Sequence, residues 1–206
     1  MYIPKHFKGR GPESAIAFMQ RFNFATMITS VDGVPQATHL PFVIKAVGEK
    51  ITLTSHLAKA NGHWKHIEDN TNLVIFSEPH AYISPRHYEK AENVPTWNYL
   101  AVHAYGKAKL ASDEHEVLAI LEQMMMAYEP AYKDQWDSLP TAFKQKKVRG
   151  ICAFSIEVTD LQSKEKLSQN KSDAEREAII TTLSESSSTN ENVLAAYMSG
   201  KTTDSE

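Results

Sequence analysis

One cysteine in 206 residues rules out an internal disulfide, so burial alone has to hold the fold. A chain of this length removes roughly 70% of its unfolded surface from water on folding, enough to stand without covalent or metal staples. No signal-peptide pattern opens MYIPKHFKGR, which together with the lone thiol points to a reducing, cytoplasmic compartment. Long hydrophobic runs are missing as well. The most apolar stretch, LVIF at 73–76, is a fraction of the roughly 20 residues that cross a bilayer as a helix, so no membrane span is expected. Charge of one sign is also lacking: 22 basic against 25 acidic residues, net −3, gives no overall attraction for a phosphate backbone, and nucleic-acid contact would need a local patch. A Walker loop, a Rossmann glycine fingerprint, a GxSxG elbow and a CxxC pair are all absent, which leaves the mechanisms built on them without support.

What is present reads as a β-rich domain with peripheral helices. FATMITS and PQATHLPFVIKAV flank a turn in which Gly33 can take positive φ, and a second turn at Gly48 leads into ITLTSHL, so three strands form a meander. Pro12 suits the first position of a short helix carrying Ile16, Met19 and Phe22 on one face. The polar segment 58–70 reads as a short helix or helical turn, LVIF as a strand covered on both faces, and PHAYISP as a further extended segment. In TWNYLAVHAYGKAKL, Leu100, Val102, Ala104, Ala108 and Leu110 alternate with Trp97, Tyr99, His103, Tyr105 and Lys107. Ser112 is placed to cap a helix whose Val117, Leu118, Leu121, Met124, Met125 and Tyr128 recur at helical spacing. A shorter helix near 143–147 precedes the closing strand RGICAFSIEV. A charged helix spans about Asp173 to Leu183, and SESSSTNEN opens a serine-rich, flexible tail over 184–206, within which a short docked helix at Asn192 to Met198 is the alternative. Six or so short strands with helices at the periphery favour a small antiparallel barrel over a parallel sheet.

Nine histidines invite a metal reading, and His63-x-x-His66 has the spacing for it, but no cysteine or carboxylate nearby completes a ligand set; surface histidines explain the pattern as well. Cys152 alternates with Phe154 and Ile156, which is the placement of a structural thiol before that of a nucleophile. More informative is the concentration of Trp, Tyr, His, Asn and Lys in SHLAKANGHW, PHAYISP, VPTWNY and KLSQN. Each residue alone is an ordinary core or surface residue. Together they describe a wet aromatic cleft, suited to a planar ligand with an anionic tail.

Those segments, with MYIPKHF before them, resemble in content and order the PaiB family, described as FMN-binding negative transcriptional regulators and related in fold to the pyridoxamine-phosphate-oxidase-like split barrels. The resemblance runs from Met1 to about Leu183. It implies a six-stranded antiparallel FMN-binding split barrel over 1–183, a homodimer, and FMN in a groove at the subunit interface. It puts phosphate contacts at Ser55, His56 and Lys59, and flavin-ring or cleft contacts at Trp97, Asn98, Gln169 and Asn170. The sequence departs from the family pattern at Gly62, where proline is common after Asn, and at His87, where tryptophan is common in a longer loop. Regulation implies promoter DNA as a partner; Lys144, Lys146, Lys147 and Arg149 are the best contact candidates, although such a string is also what a solvated helix face looks like. The alternative is an enzyme on the same fold, a flavin-dependent oxidoreductase or a haem-handling protein, since the fold alone does not choose.

Overall fold

The computed structural model describes residues 1–201. It divides into two compact units, one made of 16–76 and 103–161, the other of 1–15, 77–102 and the chain from Gln162 onward. The chain segments of the two units interleave, and β7 and β8 run through both.

The larger unit is built on antiparallel strands. β1 (Phe24–Val31) and β2 (Val34–Pro41) form the first hairpin, with Asp32 and Gly33 both at positive φ in the turn. β3 (Val43–Val47) and β4 (Lys50–Ala58) form the second, turning at Gly48, φ 58°. With β5 (Thr71–Phe76), β7 (Thr96–Leu110) and β8 (Ile151–Lys166), the sheet order is β2-β1-β5-β7-β8-β4-β3. β6 (His80–Ile83) pairs only with β7 and belongs to the smaller unit. Eight strands thus stand where six were expected: the extra ones are β3, which separates from β2 at Phe42, and the short β6.

Period-two alternation buries one face of each strand. Ala25, Met27 and Thr29 of β1 point inward, as do Leu53 and Leu57 of β4 and Phe154 and Ile156 of β8. Their centre is aromatic: Phe42 meets Phe76 and Phe154 edge-on, with ring centroids 6.0 and 6.3 Å apart, a preferred arrangement of ring quadrupoles. β7 passes so close to β8 that a Cβ on Gly106 would collide with the Glu157 carbonyl oxygen. Only glycine permits that approach. Around the sheet lie α2 (Glu114–Tyr128), α3 (Lys133–Ser138) and α4 (Thr141–Val148). The α2 cap is Asp113, whose carboxylate accepts from the Glu116 amide at 2.8 Å, not Ser112. Ser112 instead donates its own amide and hydroxyl to Glu116. Within 58–70 only Gly62–Lys65 is helical, as one 3₁₀ turn capped by Asn61.

The smaller unit holds β6, the start of β7, the end of β8, α5 (Asp173–Ser184) and α6 (Thr189–Met198). Helix α1 (Pro12–Arg21) crosses the chain boundary between the units. Ser172 and Glu175 form a capping box at the start of α5, which satisfies two orphan amides reciprocally. The expected flexible tail over 184–206 is not what the described part of that segment forms; 202–206 lie outside the described residues. α6 buries Leu194, Ala195, Tyr197 and Met198 and packs against α5, which buries Ile179 and Leu183. The serine-rich turn between the helices is tied down from the side: Asn192 donates its amide to the carbonyls of Leu183, Ser184 and Ser186 at 2.9 to 3.0 Å. Serine content hid a helix whose apolar face is only four residues wide. Leu194→Ala is accordingly expected to cost about 2 to 5 kcal/mol, read as a lower denaturant midpoint, where an unstructured tail would show no change.

Candidate functional site

The motif SHLAK ends β4, whose partner β8 sets Ser55 opposite Phe154, His56 opposite Ala153 and Leu57 opposite Cys152. Alternation turns Ser55 inward, where it is fully buried and donates its hydroxyl to the Pro41 carbonyl at 2.7 Å. That oxygen serves the β2–β3 corner. His56 points to the other face, half-buried beneath α2, with Nδ1 3.4 Å from the Met124 sulfur. Burial pushes its imidazole below the ordinary value, so the ring is neutral at pH 7. His56 lines an open cavity of about 470 Å³ with Pro41, Leu121, Met124, Met125, Tyr128, Glu129 and Tyr132. Lys59 follows the strand; its backbone amide still bonds Gly150 at 2.9 Å, while its side chain is exposed and pairs with no carboxylate among the described residues. Its charge is felt at Cys152, where burial raises the thiol pKa and Lys59 opposes the rise.

The second half of the motif, ANGHW, does something the sequence did not announce. His63 is 3% exposed, and both its nitrogens are used: Nδ1 is 2.9 Å from the Thr38 hydroxyl and Nε2 2.8 Å from that of Thr29. Thr29 donates onward to Asn72 Oδ1 at 2.7 Å, and the Asn72 amide donates to Ile67 O. Directions then follow: Thr29 must accept from Nε2–H, leaving Nδ1 to accept from Thr38, whose oxygen accepts from the Asn61 amide. The network is complete with a neutral imidazole. A His63–His66 metal pair has no free nitrogen on His63 to use. Trp64 Nε1 donates to the Lys59 carbonyl at 3.0 Å, so Lys59 sits on a turn held from both sides.

In the smaller unit, Trp97 is 53% exposed and meets His80 and Tyr82, at 5.8 and 6.1 Å between centroids. Asn98 is fully buried; its amide donates to the Ser168 hydroxyl at 2.9 Å and approaches the Met198 sulfur at 3.6 Å. Gln169 turns back on its own chain, accepting from the Leu167 amide and donating to the Glu165 carbonyl. Asn170 is exposed. The seven expected residues therefore divide by unit, Ser55, His56 and Lys59 in one, Trp97, Asn98, Gln169 and Asn170 in the other, and by commitment. Ser55 and Asn98 are buried and bonded within the fold; His56, Lys59, Trp97, Gln169 and Asn170 retain exposed or cavity-facing atoms, Gln169 although it bonds its own chain. His63 and Asn61 escaped sequence reasoning because their side-chain partners, Thr29 and Thr38, lie on two strands distant in sequence. Their only signal was the density of costly residues in SHLAKANGHW.

The donor set suits a planar ligand with a phosphate. Lys59 is a cation with no carboxylate partner on a fixed turn, and a cavity of about 470 Å³ walled by Met, Leu, Pro and Tyr side chains, with one imidazole and Glu129 at its edge, falls in the range of small-ligand pockets. The antiparallel sheet with helices around it is the split-barrel fold. A family model described as a putative FMN-binding domain matches residues 1–160, and the chain belongs to that family. It is 38% identical over 205 residues to the protease synthase and sporulation protein PAI 2 of Bacillus subtilis (strain 168), covering 98% of each chain. Among solved structures, the flavocytochrome Anf3 from Azotobacter vinelandii matches at TM-score 0.62 and 18% identity, over 80% of this chain and 72% of that one. The FAD and heme binding protein from Mycobacterium smegmatis matches at TM-score 0.60 and 12% identity, over 77% and 73%. At those identities the likeness establishes the fold. The cofactor of the family is FMN or a related flavin.

Burial, with His66 adding to it, lowers the His63 pKa. The unfolded chain therefore takes up a proton that the folded one refuses, and stability falls as pH drops through about 6.5 until the folded-state value is passed. His63→Leu should flatten that acid-side fall in urea midpoints measured between neutral pH and about pH 5, at a lower overall stability because Thr29 and Thr38 lose their partner.

Proposed function

We propose that this chain is a cytoplasmic, FMN-binding homodimer of the PaiB type that acts as a negative transcriptional regulator. The observation that supports it most is Lys59: a fixed, exposed cation with no carboxylate beside it, at the end of the strand that carries His56 into the open cavity. Bound FMN supplies reversible electron uptake. The chain's part is to hold it. Lys59 neutralises the phosphate; the Met and Tyr walls of the His56 cavity pack against the planar ring; Trp97, Gln169 and Asn170 are the exposed members of the second set. His56, neutral at pH 7, can donate or accept one hydrogen bond there.

The dimer is supported by an aromatic patch. Trp97 and Tyr82 are each about half exposed on the β6–β7 ribbon, the kind of surface that a second copy covers. DNA contact has thinner support. Of the basic string, Lys144 lies over Trp136 at 5.2 Å, Lys147 over Phe143 at 5.3 Å, and Arg149 pairs with Glu114 at 2.9 Å, so α4 presents fewer free charges than its sequence suggests. A second reading has one observation behind it: a neutral, half-buried imidazole facing an open apolar cavity is also what haem ligation or flavin-dependent redox chemistry would need.

Lys59→Ala is expected to weaken FMN binding about ten- to a hundredfold and riboflavin binding far less, because only FMN carries the phosphate. Equal losses for both ligands, or none, would overturn the phosphate role. Light scattering should give about twice 23.1 kDa. Retardation of promoter DNA by the flavin-loaded dimer supports the regulator; bleaching of the flavin by a nicotinamide donor with turnover, or a haem spectrum, would replace it with the enzyme reading.

A further inference from the structure

The end of β8 carries an arrangement that the fold does not need. Lys164 and Lys166 are two residues apart on a strand and so share a face. Lys164 is only 8% exposed. Its ammonium donates to the Tyr2 carbonyl at 3.2 Å and lies 5.7 and 5.1 Å from the rings of Tyr2 and Tyr99. Lys166 is half-buried, bonded to the Thr96 hydroxyl and 6.0 Å from the Phe7 ring. Among the described residues neither ammonium meets a carboxylate. The intervening Glu165 faces the other way and is held by Arg10 at 3.0 Å and Ser14 at 3.2 Å. A third cation adds to the imbalance: Lys8 pairs with Lys164 across an antiparallel bridge, and like charges placed opposite each other are destabilising. Burial lowers the Lys166 pKa; Tyr99 works against that and Lys164 adds to it, so the two ammoniums repel each other through a partly desolvated medium.

Buried cations are ordinarily paired. Here the aromatic faces of Tyr2, Tyr99 and Phe7 give partial relief through their quadrupoles, and single bonds to a carbonyl and a hydroxyl leave most donors of each ammonium unspent. Tyr2, which contributes a ring and the carbonyl to Lys164, is itself 83% exposed, so the cover is a solvent-facing side chain and not packed core. Gly9 lets the N-terminal segment come this close to β8: a Cβ there would collide with the Ser163 hydroxyl.

We infer that Lys164 and Lys166, walled by Tyr2, Phe7 and Tyr99, form a binding site for a planar aromatic carboxylate, distinct from the Lys59 phosphate position. The carboxylate supplies the missing negative charge and takes the free N–H donors of both lysines; the ring of the ligand lies against the three aromatic side chains. An inorganic anion would satisfy the charge without using the walls, and a neutral aromatic would use the walls without relieving the charge. The inference does not rest on the flavin reading, because all five residues belong to the smaller unit and none is among the residues assigned to FMN.

Calorimetric titration of the full-length protein, with and without added FMN, tests it with benzoate as the probe, acetate as the anion without a ring and benzamide as the ring without a charge. Saturable benzoate binding that exceeds both controls is expected. Lys166→Gln should weaken it about tenfold or more while Lys166→Arg retains most of it, the size expected for loss of one charge-assisted hydrogen bond. Lys164→Gln should act in the same direction; if that variant does not fold, Lys166→Gln alone decides. FMN affinity should stay within about twofold in the Lys166 variants, well below a tenfold, single-bond loss. Absence of saturable benzoate binding, binding indifferent to Lys166→Gln, or displacement of benzoate by FMN would each overturn the site, the last by giving these lysines to the flavin. A failure of FMN to bind at all would leave the benzoate result readable.

Discussion

A single neutral imidazole organises the larger unit. His63 lies between two threonine hydroxyls on neighbouring strands, and because each of its nitrogens has a defined role, the chain of bonds from Asn61 through Thr38, His63, Thr29 and Asn72 to Ile67 runs in one direction only. Reversing any member would strand a buried donor against a donor, at a cost of about 1 to 3 kcal/mol. The network therefore fixes the path of 59–72 as well as the spacing of β1, β2 and β5. Lys59 depends on it directly. A lysine on a loose loop would lose side-chain and backbone freedom on meeting a phosphate; one on a turn braced by Trp64, Asn61 and Gly150 has already lost most of the backbone share.

The fold was legible where burial is periodic. β1, β4, β7 and β8 each show in their residues the alternation that the structure confirms, and α2 shows the helical spacing of a face laid on the sheet. Legibility failed where a single side chain decides. Asn192 captures three carbonyls of the serine-rich turn and lets α6 dock, yet asparagine among serines reads as loop. Asp113 outcompetes its neighbour Ser112 for the α2 cap because a carboxylate at a helix N-terminus gains from the dipole as well as from the bond. Interleaved chain segments in two units leave no composition boundary to read.

The candidate site shows the same limit from the other side. Clustering of Trp, His, Asn and Lys could not sort the members of the motifs it singled out, because a side chain that faces a ligand and one that braces a turn have the same composition. Ser55, Asn98 and Gln169 look like ligand donors in sequence and are donors to Pro41, Ser168 and Glu165 in the folded chain. What separates them in the folded chain is satisfaction: Ser55 and Asn98 are buried with partners in the fold, whereas Lys59 carries a charge that the described residues leave unanswered.

Applied across the molecule, unanswered charge is the sharper criterion. Asn61 and His63 sit in the densest motif and have partners within the fold; Lys164 and Lys166 sit at the end of β8, where Lys166 opens the KLSQN motif, partly desolvated and without a counter-charge among the described residues. A folded chain tolerates such a pair only if other interactions offset the repulsion, and the three aromatic rings here offset part of it at about 0.5 to 1 kcal/mol each where exposed. The remainder is a standing preference for an anion. Rings that soften the cost of two ammoniums also restrict which anion can approach them, so the stabilising and the selective elements are the same side chains.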